Sequence, residues 1–185
     1  MFLATTALSE FWDKNEEILF LGPWCLTPKN EDIWRSLDYE IMPSPWQDRD
    51  AYYEAGKYTY KVYHYFLNIL TDYLNSIHGT KYSRRFWQII IGPWLLHFIE
   101  AFYDRYYCLK KAFERYSQIE TILLDEASYV TPNSMEDFFS SYYDDFYSLQ
   151  YYSQILRQLG VDGPSKKKIG EHRTDIQRKK WRCAL

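Results

Sequence analysis

The chain is 185 residues long, enough for one domain with a substantial core, and is 46% hydrophobic and 25% charged. A net charge of −3 argues against wholesale nucleic-acid binding, and Cys25, Cys108 and Cys183, without C-x-x-C spacing, suggest neither a disulfide framework nor a zinc site. Aromatic residues make up 20%, with 19 Tyr and 7 Trp, so the same side chains can build cores and sugar-binding surfaces.

The first twelve residues, MFLATTALSEFW, lack the charged n-region of a signal peptide and meet Glu10 early. Together with the cysteine usage, this points to a reducing cytoplasm. Phe2 to Ala7 reads as a short strand, Glu17 to Gly22 (EILFLG) as a second and Tyr39 to Pro43 as a weaker third. Their apolar runs are continuous instead of alternating, as in a parallel sheet buried on both faces. Asn30 to Leu37 is expected to be a short helix with Asn30 as its N-cap. After PSPWQDRD a long helix is expected from Asp48 to His78, burying Val62, Phe66, Ile69, Tyr73 and Ile77 and closed by Gly79.

The next segment, Ser83 to Tyr116, holds the most apolar stretch, but its uninterrupted run from Ile89 to Leu96 is far short of the ~20 residues a membrane span needs. Gln88 to Ile91 could be a strand with Pro93 opening a helix. One kinked helix fits better, because Trp87, Ile91, Trp94, Phe98, Phe102 and Tyr106 keep a helical phase across Gly92-Pro93. Trp87, Ile91, Trp94 and Phe98 are then expected to be buried. Ile119 to Glu126 reads as a fourth strand and Ser134 to Leu159 as a third long helix. From Pro164 onward, eight Lys or Arg face two acidic residues, a local +6 that leaves −9 for the rest. The expected fold class is α/β: a short, mostly parallel sheet of about four strands with long amphipathic helices packed on it. Residues 1–160 form one domain and residues 161–185 a basic, flexible tail able to touch phosphates or anionic lipid at a membrane periphery.

Three groups of residues could carry chemistry. Trp24 and Cys25, in Gly22 to Cys25 (GPWC), leave the C-terminal end of a strand, where α/β sheets gather ligands; a tight turn with its Trp packed on the sheet is the alternative. In Trp46 to Asp50, Asp48 or Asp50 could act as a base and Arg49 could grip a phosphate or carboxylate, or the acids could simply cap a helix. His97, Glu100 and Asp104 share a helix face, but one helix supplies too few ligands for a metal. No metal site and no cofactor is expected.

MFLATTALSEFW, EILFLGPWC, DYEIMPSPWQDRD and SRRFWQIIIGPWLLHFIEAFYDRY occur here in the order found in a family of transferases encoded in bacterial O-antigen and lipopolysaccharide biosynthesis clusters, which resembles GT-B sugar transferases. DDFYSLQYYSQIL resembles it more weakly. The matching positions are Thr5, Thr6, Phe11, Trp12, Gly22, Trp24, Cys25, Asp48, Arg49, Arg84, Trp87, Gly92, Pro93, Trp94, Asp104 and Arg105; His97 and Glu100 fall outside the pattern. The resemblance covers roughly the first 160 residues and implies the N-terminal domain of a GT-B enzyme, without the second domain that would hold the donor. The family brings no established catalytic residue with it; among the matching positions Asp48 is the candidate base for deprotonating an acceptor hydroxyl. Arg49, Arg84 and Arg105 would stabilise charge, and Trp24, Cys25 and Trp94 would contact substrate. The implied partners of the full-length enzyme are a nucleotide-activated sugar and a glycan acceptor, with no specific nucleic acid. The chain alone is expected to be inactive. The competing reading is a non-catalytic, aromatic-rich interaction module.

Overall fold

The structure is a computed structural model that describes residues 1–161 and 163–167. Most of these residues are helical, and the strands are short. They form two compact units: Met1–Pro43 with Leu109 onward, and Ser44–Cys108.

The first unit is built on parallel strands β1 (Phe2–Ala4), β2 (Ile18–Phe20) and β3 (Tyr39–Ile41), in the order β1-β2-β3. Phe2 aligns with Ile18, and Ile18 with Tyr39. On the far side of β1 the chain returns. Phe2 bridges Glu120 in parallel, the Leu3 N–H donates to the Glu120 carbonyl at 2.7 Å, and the Thr121 hydroxyl donates to the Leu3 carbonyl at 2.8 Å. This segment continues into β4 (Leu123–Leu124), which pairs in parallel with β5 (Ser165–Lys166). The isolated bridge at Glu120 thus sets the three-stranded sheet β3-β2-β1 beside the two-stranded sheet β4-β5, with every pairing parallel. β1 and β2 are buried along their whole length, as their unbroken apolar runs require.

Phe20, Trp12, Phe11, Leu124, Phe146 and Leu149 share one core, with Trp12 edge-on to Phe20 at 4.9 Å. α1 (Glu31–Trp34) follows β2. Asn30 stands at its N-cap position, as expected, but its side chain makes no cap hydrogen bond. Its side chain is buried and occupied elsewhere: the amide donates to the carbonyls of Ala7 and Cys25, and its oxygen accepts from the Thr27 N–H and hydroxyl. Asn30 thereby ties together the loops that leave β1 and β2.

The helix expected over Ser134 to Leu159 is two helices, α4 (Met135–Tyr142) and α5 (Asp145–Gln158). Asp144 makes the break. Its carboxylate accepts from the Tyr147 N–H at 3.0 Å, a cap that starts a new helix instead of continuing the old one. α5 packs on β4: the Leu124 N–H donates to the Ser153 hydroxyl, and Arg157 donates to the Leu124 carbonyl. β5 lies inside the segment expected to be a tail. Its two residues, Ser and Lys, are exposed and carry no apolar signal, and it forms because β4 offers an unpaired edge. Lys168 to Leu185, most of the basic stretch, lie outside the described residues.

The second unit contains α2 (Arg49–His78) and the first part of α3 (Arg84–Arg115), which run antiparallel. Trp87 donates to Asn75 at 3.0 Å near the turn, and Trp46 stacks on Tyr107 at 4.7 Å near the other end. Gly79, at φ +62°, closes α2 in the left-handed region that favours glycine. α3 is a continuous helix through Pro93, so residues 88–91 are not a strand. The buried stripe of α2 is Ala55, Thr59, Tyr63, Leu67 and Thr71, at a constant spacing of four. The expected stripe is a neighbouring one, and its Phe66, Ile69, Tyr73 and Ile77 are exposed. Apolar periodicity marked the wrong arc because this helix buries threonine and alanine and leaves large apolar side chains outside. Trp87 is buried as expected, whereas Ile91, Trp94 and Phe98 are half-buried beside a core of Tyr63, Leu67, Leu95 and Ile99. No helix among the described residues is long and apolar enough to cross a membrane.

Candidate functional site at the parallel sheet edge

With the two sheets set side by side at the Phe2–Glu120 bridge, the chain builds outward from β1 on one side and from β4 on the other. The C-terminal ends of β1 and β4 therefore diverge at a switch point, where open parallel sheets hold their ligands. Thr5 and Thr6 extend β1 into this edge. Both are buried, and neither hydroxyl makes a hydrogen bond among the described residues. Neither hydroxyl oxygen is sealed from solvent, so both are open to water or to a polar ligand at the switch point.

Their carbonyls, by contrast, are committed. Trp24 Nε1 donates to the Thr5 carbonyl at 3.0 Å, and Trp12 Nε1 to the Thr6 carbonyl at 2.9 Å. Each indole is thus locked by one hydrogen bond. Trp24 remains 41% exposed, an aromatic face held at a fixed orientation beside Thr5. Gly22 makes this possible, for a Cβ there would lie 2.1 Å from the Trp24 ring. The backbone at Gly22 is extended, so what it needs is space, not conformational freedom. Sequence reading recognised Trp24 but not that Gly22 exists to seat it.

Cys25, expected to contact substrate, is not at the surface. It is fully buried, and its thiol donates to the Ala4 carbonyl at 3.4 Å. Burial pushes its pKa up to about 12, which leaves a neutral thiol without nucleophilic character. The remaining neighbours of this edge are acidic. The Ala7 N–H donates to Asp145 Oδ1 at 3.4 Å, and Asp144 and Asp145 together occupy the start of α5. A helix N-terminus that carries two carboxylates is a poor phosphate cradle, while carboxylates and hydroxyls are good partners for sugar hydroxyls. Asp144 and Asp145 were not singled out from sequence. The Asp-Asp break inside an aromatic helical run was the available signal.

The other expected site residues, Asp48, Arg49, Arg84, Trp94 and Arg105, belong to the second unit. Asp48 is the N-cap of α2, and Oδ1 accepts from the N–H groups of Asp50 and Ala51 at 2.9 and 3.2 Å. Both bonds use the same oxygen, and the residue is exposed, so Oδ2 lies outside the cap. Arg49 is exposed and makes no ion pair among the described residues. Arg84 contacts His64 Nδ1. Arg105 is buried and donates to the Ala101 carbonyl at 3.0 Å, within its own helix. Trp94 stacks on Phe98 at 5.4 Å. His97 sits 3.9 Å from Glu100, while Asp104 accepts from Trp46 Nε1 at 2.6 Å, so the three do not converge. Among the described residues, no cluster of His, Cys, Asp or Glu could hold a metal ion.

A family model described as LIC12162 family transferase matches residues 1–185. The chain belongs to this transferase family. The match runs past Gly160, where the motif resemblance thins out, and takes in the basic segment as well. No curated protein and no solved structure matches the chain. Membership of the LIC12162 family turns a generic sheet-edge argument into one about group transfer. A transferase must hold an acceptor, and the Thr5–Thr6–Trp24 edge has the polar and aromatic groups to do so.

Proposed function

We propose that the chain is a sugar transferase of bacterial surface-polysaccharide assembly and that its described sheet edge supplies contacts to the glycan acceptor. The reading is supported by family membership and carried by one observation: a locked, exposed Trp24 beside the unpaired hydroxyls of Thr5 and Thr6. An indole face packs on the C–H face of a pyranose, and threonine hydroxyls donate to or accept from its hydroxyls. The chemistry is displacement at a sugar anomeric carbon with a nucleotide leaving. Asp48, with Oδ2 outside its cap, is the candidate base, and Arg49 a candidate for stabilising the departing phosphate. Arg84, Trp94 and Arg105 have weaker support, since Arg105 is buried against its own helix and Trp94 is packed on Phe98. In the GT-B reading the described sheet edge belongs to the acceptor side, and transfer needs a donor held against it. The chain by itself is therefore expected to bind acceptor but not turn over, because positioning of both substrates supplies ~7–11 kcal/mol of barrier reduction. Nucleotide-activated sugars place such an enzyme in the cytoplasm.

The test uses purified full chain with a panel of oligosaccharides and nucleotide sugars, read by ligand-observed NMR and by release of nucleotide. Oligosaccharide binding that Trp24→Ala removes, without nucleotide release, is the expected result. Absence of all sugar binding would overturn the reading. Turnover abolished by Asp48→Asn would retain the transferase and overturn its dependence on a donor half.

A further inference from the structure

The turn between α2 and α3 carries a group of large exposed apolar side chains. Tyr73 and Ile77 at the end of α2, and Phe86, Ile89 and Ile90 at the start of α3, are all exposed, Ile89 by 68%. Helical geometry places them outward. At 100° per residue, Phe86, Ile89 and Ile90 fall on the arc opposite Trp87, Ile91 and Leu95, which pack inward on α2. Tyr73 and Ile77 belong to the stripe of α2 that lies outside its buried Tyr63, Leu67 and Thr71. Large apolar groups therefore surround the closed end of the hairpin instead of lying on one flat face, a poor shape for a single docked protein.

The charge at this end is one-sided. Between Asp72 and Glu100 the sequence contains no acidic residue, while Lys81, Arg84 and Arg85 lie at the turn and are exposed. Aromatic and aliphatic side chains interleaved with cations, without a carboxylate, are complementary to an anionic bilayer surface, where tyrosines sit at headgroup level and lysines meet lipid phosphate. A second copy of the chain would bring like charges together at the same end.

We infer that the α2–α3 turn is a membrane-docking tip that inserts Ile77, Phe86, Ile89 and Ile90 into the interfacial region of a membrane rich in anionic phospholipid, with Lys81 and Arg85 on the headgroups. It does not depend on the acceptor reading above, and no helix spans the bilayer. The experiment is flotation of the full chain with vesicles of phosphatidylglycerol and phosphatidylcholine, against pure phosphatidylcholine and at raised salt. Wild-type protein is expected to float with the anionic vesicles and to be released by salt. Ile89→Asp/Ile90→Asp and, separately, Lys81→Glu/Arg85→Glu should each weaken binding by about tenfold or more. These positions are exposed, so unchanged circular dichroism and oligosaccharide binding confirm that the variants fold. Failure of the wild type to float overturns the inference. So does equal flotation of the variants, which would assign lipid binding to the basic C-terminal residues. A dimer in light scattering that Ile89→Asp/Ile90→Asp dissociates would overturn it in favour of self-association.

Discussion

At the scale of single residues, Gly22 and Cys25 show how a four-residue motif divides its work. Gly22 lacks a side chain so that the Trp24 ring can fold over it, and Cys25 turns inward to seal the strand end. Gly22→Ala is expected to expel the indole from its bond to Thr5, raising the solvent exposure of Trp24 fluorescence and lowering oligosaccharide affinity to about that of Trp24→Ala. A neutral, buried Cys25 should resist a thiol reagent at pH 8 in the folded protein and react only on unfolding. The pH dependence follows in sign. With the folded pKa raised to about 12 from an ordinary value near 9, the thiol is neutral in both states below pH 9 and adds no slope there. Above that the unfolded chain ionises first, so stability falls as pH rises toward 12. Cys25→Ala should flatten this decline in urea midpoints measured from pH 8 to 11. Asp48 allows cap and chemistry to be separated, because asparagine caps a helix as well as aspartate does. Asp48→Asn should leave stability within about 0.5 kcal/mol while Asp48→Ala loses about 1 kcal/mol. Any larger effect of Asp48→Asn on sugar transfer is then a matter of chemistry.

The elements were legible where burial is complete and less so where it is partial. β1 and β2 stand out in the sequence because every residue in them is apolar and buried. Long α2 is marked at both ends, by Asp48 and Gly79, which act locally. Its buried stripe was not legible, since Thr59 and Thr71 are buried with hydroxyls that bond back to carbonyls of their own helix, while Ile69 and Ile77 are exposed. Nor was β5 legible, because a two-residue strand of Ser and Lys owes its existence to the edge of β4, where Leu123 aligns with Ser165, a distant stretch of the chain. Asn30 was read as a cap from its position, but its partner Ala7 lies on the loop after β1, which only the folded sheet brings near. Asn30→Ala should cost about 2–3 kcal/mol through two unpaired buried carbonyls, measurable as a lower urea midpoint. Leu67→Ala, at a fully buried position, should cost about 2–5 kcal/mol. Trp94, only half-buried, should lose less on truncation than the ~3–5 kcal/mol of a fully buried tryptophan.

At the scale of the whole molecule, the family places the chain among transferases, and two short parallel sheets set side by side at the Phe2–Glu120 bridge bring Thr5, Thr6 and Trp24 to a switch point. Sequence motifs reached two parts of this site, the strand end and Trp24. The strand order was out of reach, because it depends on Glu120 pairing beside Phe2, a contact that leaves no pattern in either segment. The acidic start of α5 beside that edge favours a neutral, hydroxyl-rich ligand over a nucleotide, which is the central claim. Saturation-transfer NMR tests it most directly, with the full chain and short oligosaccharides compared with nucleotide sugars. The account predicts transfer to oligosaccharide ring protons that disappears in both Trp24→Ala and Thr6→Val. Signals confined to nucleotide protons, or oligosaccharide signals equal in wild type and both variants, would contradict it.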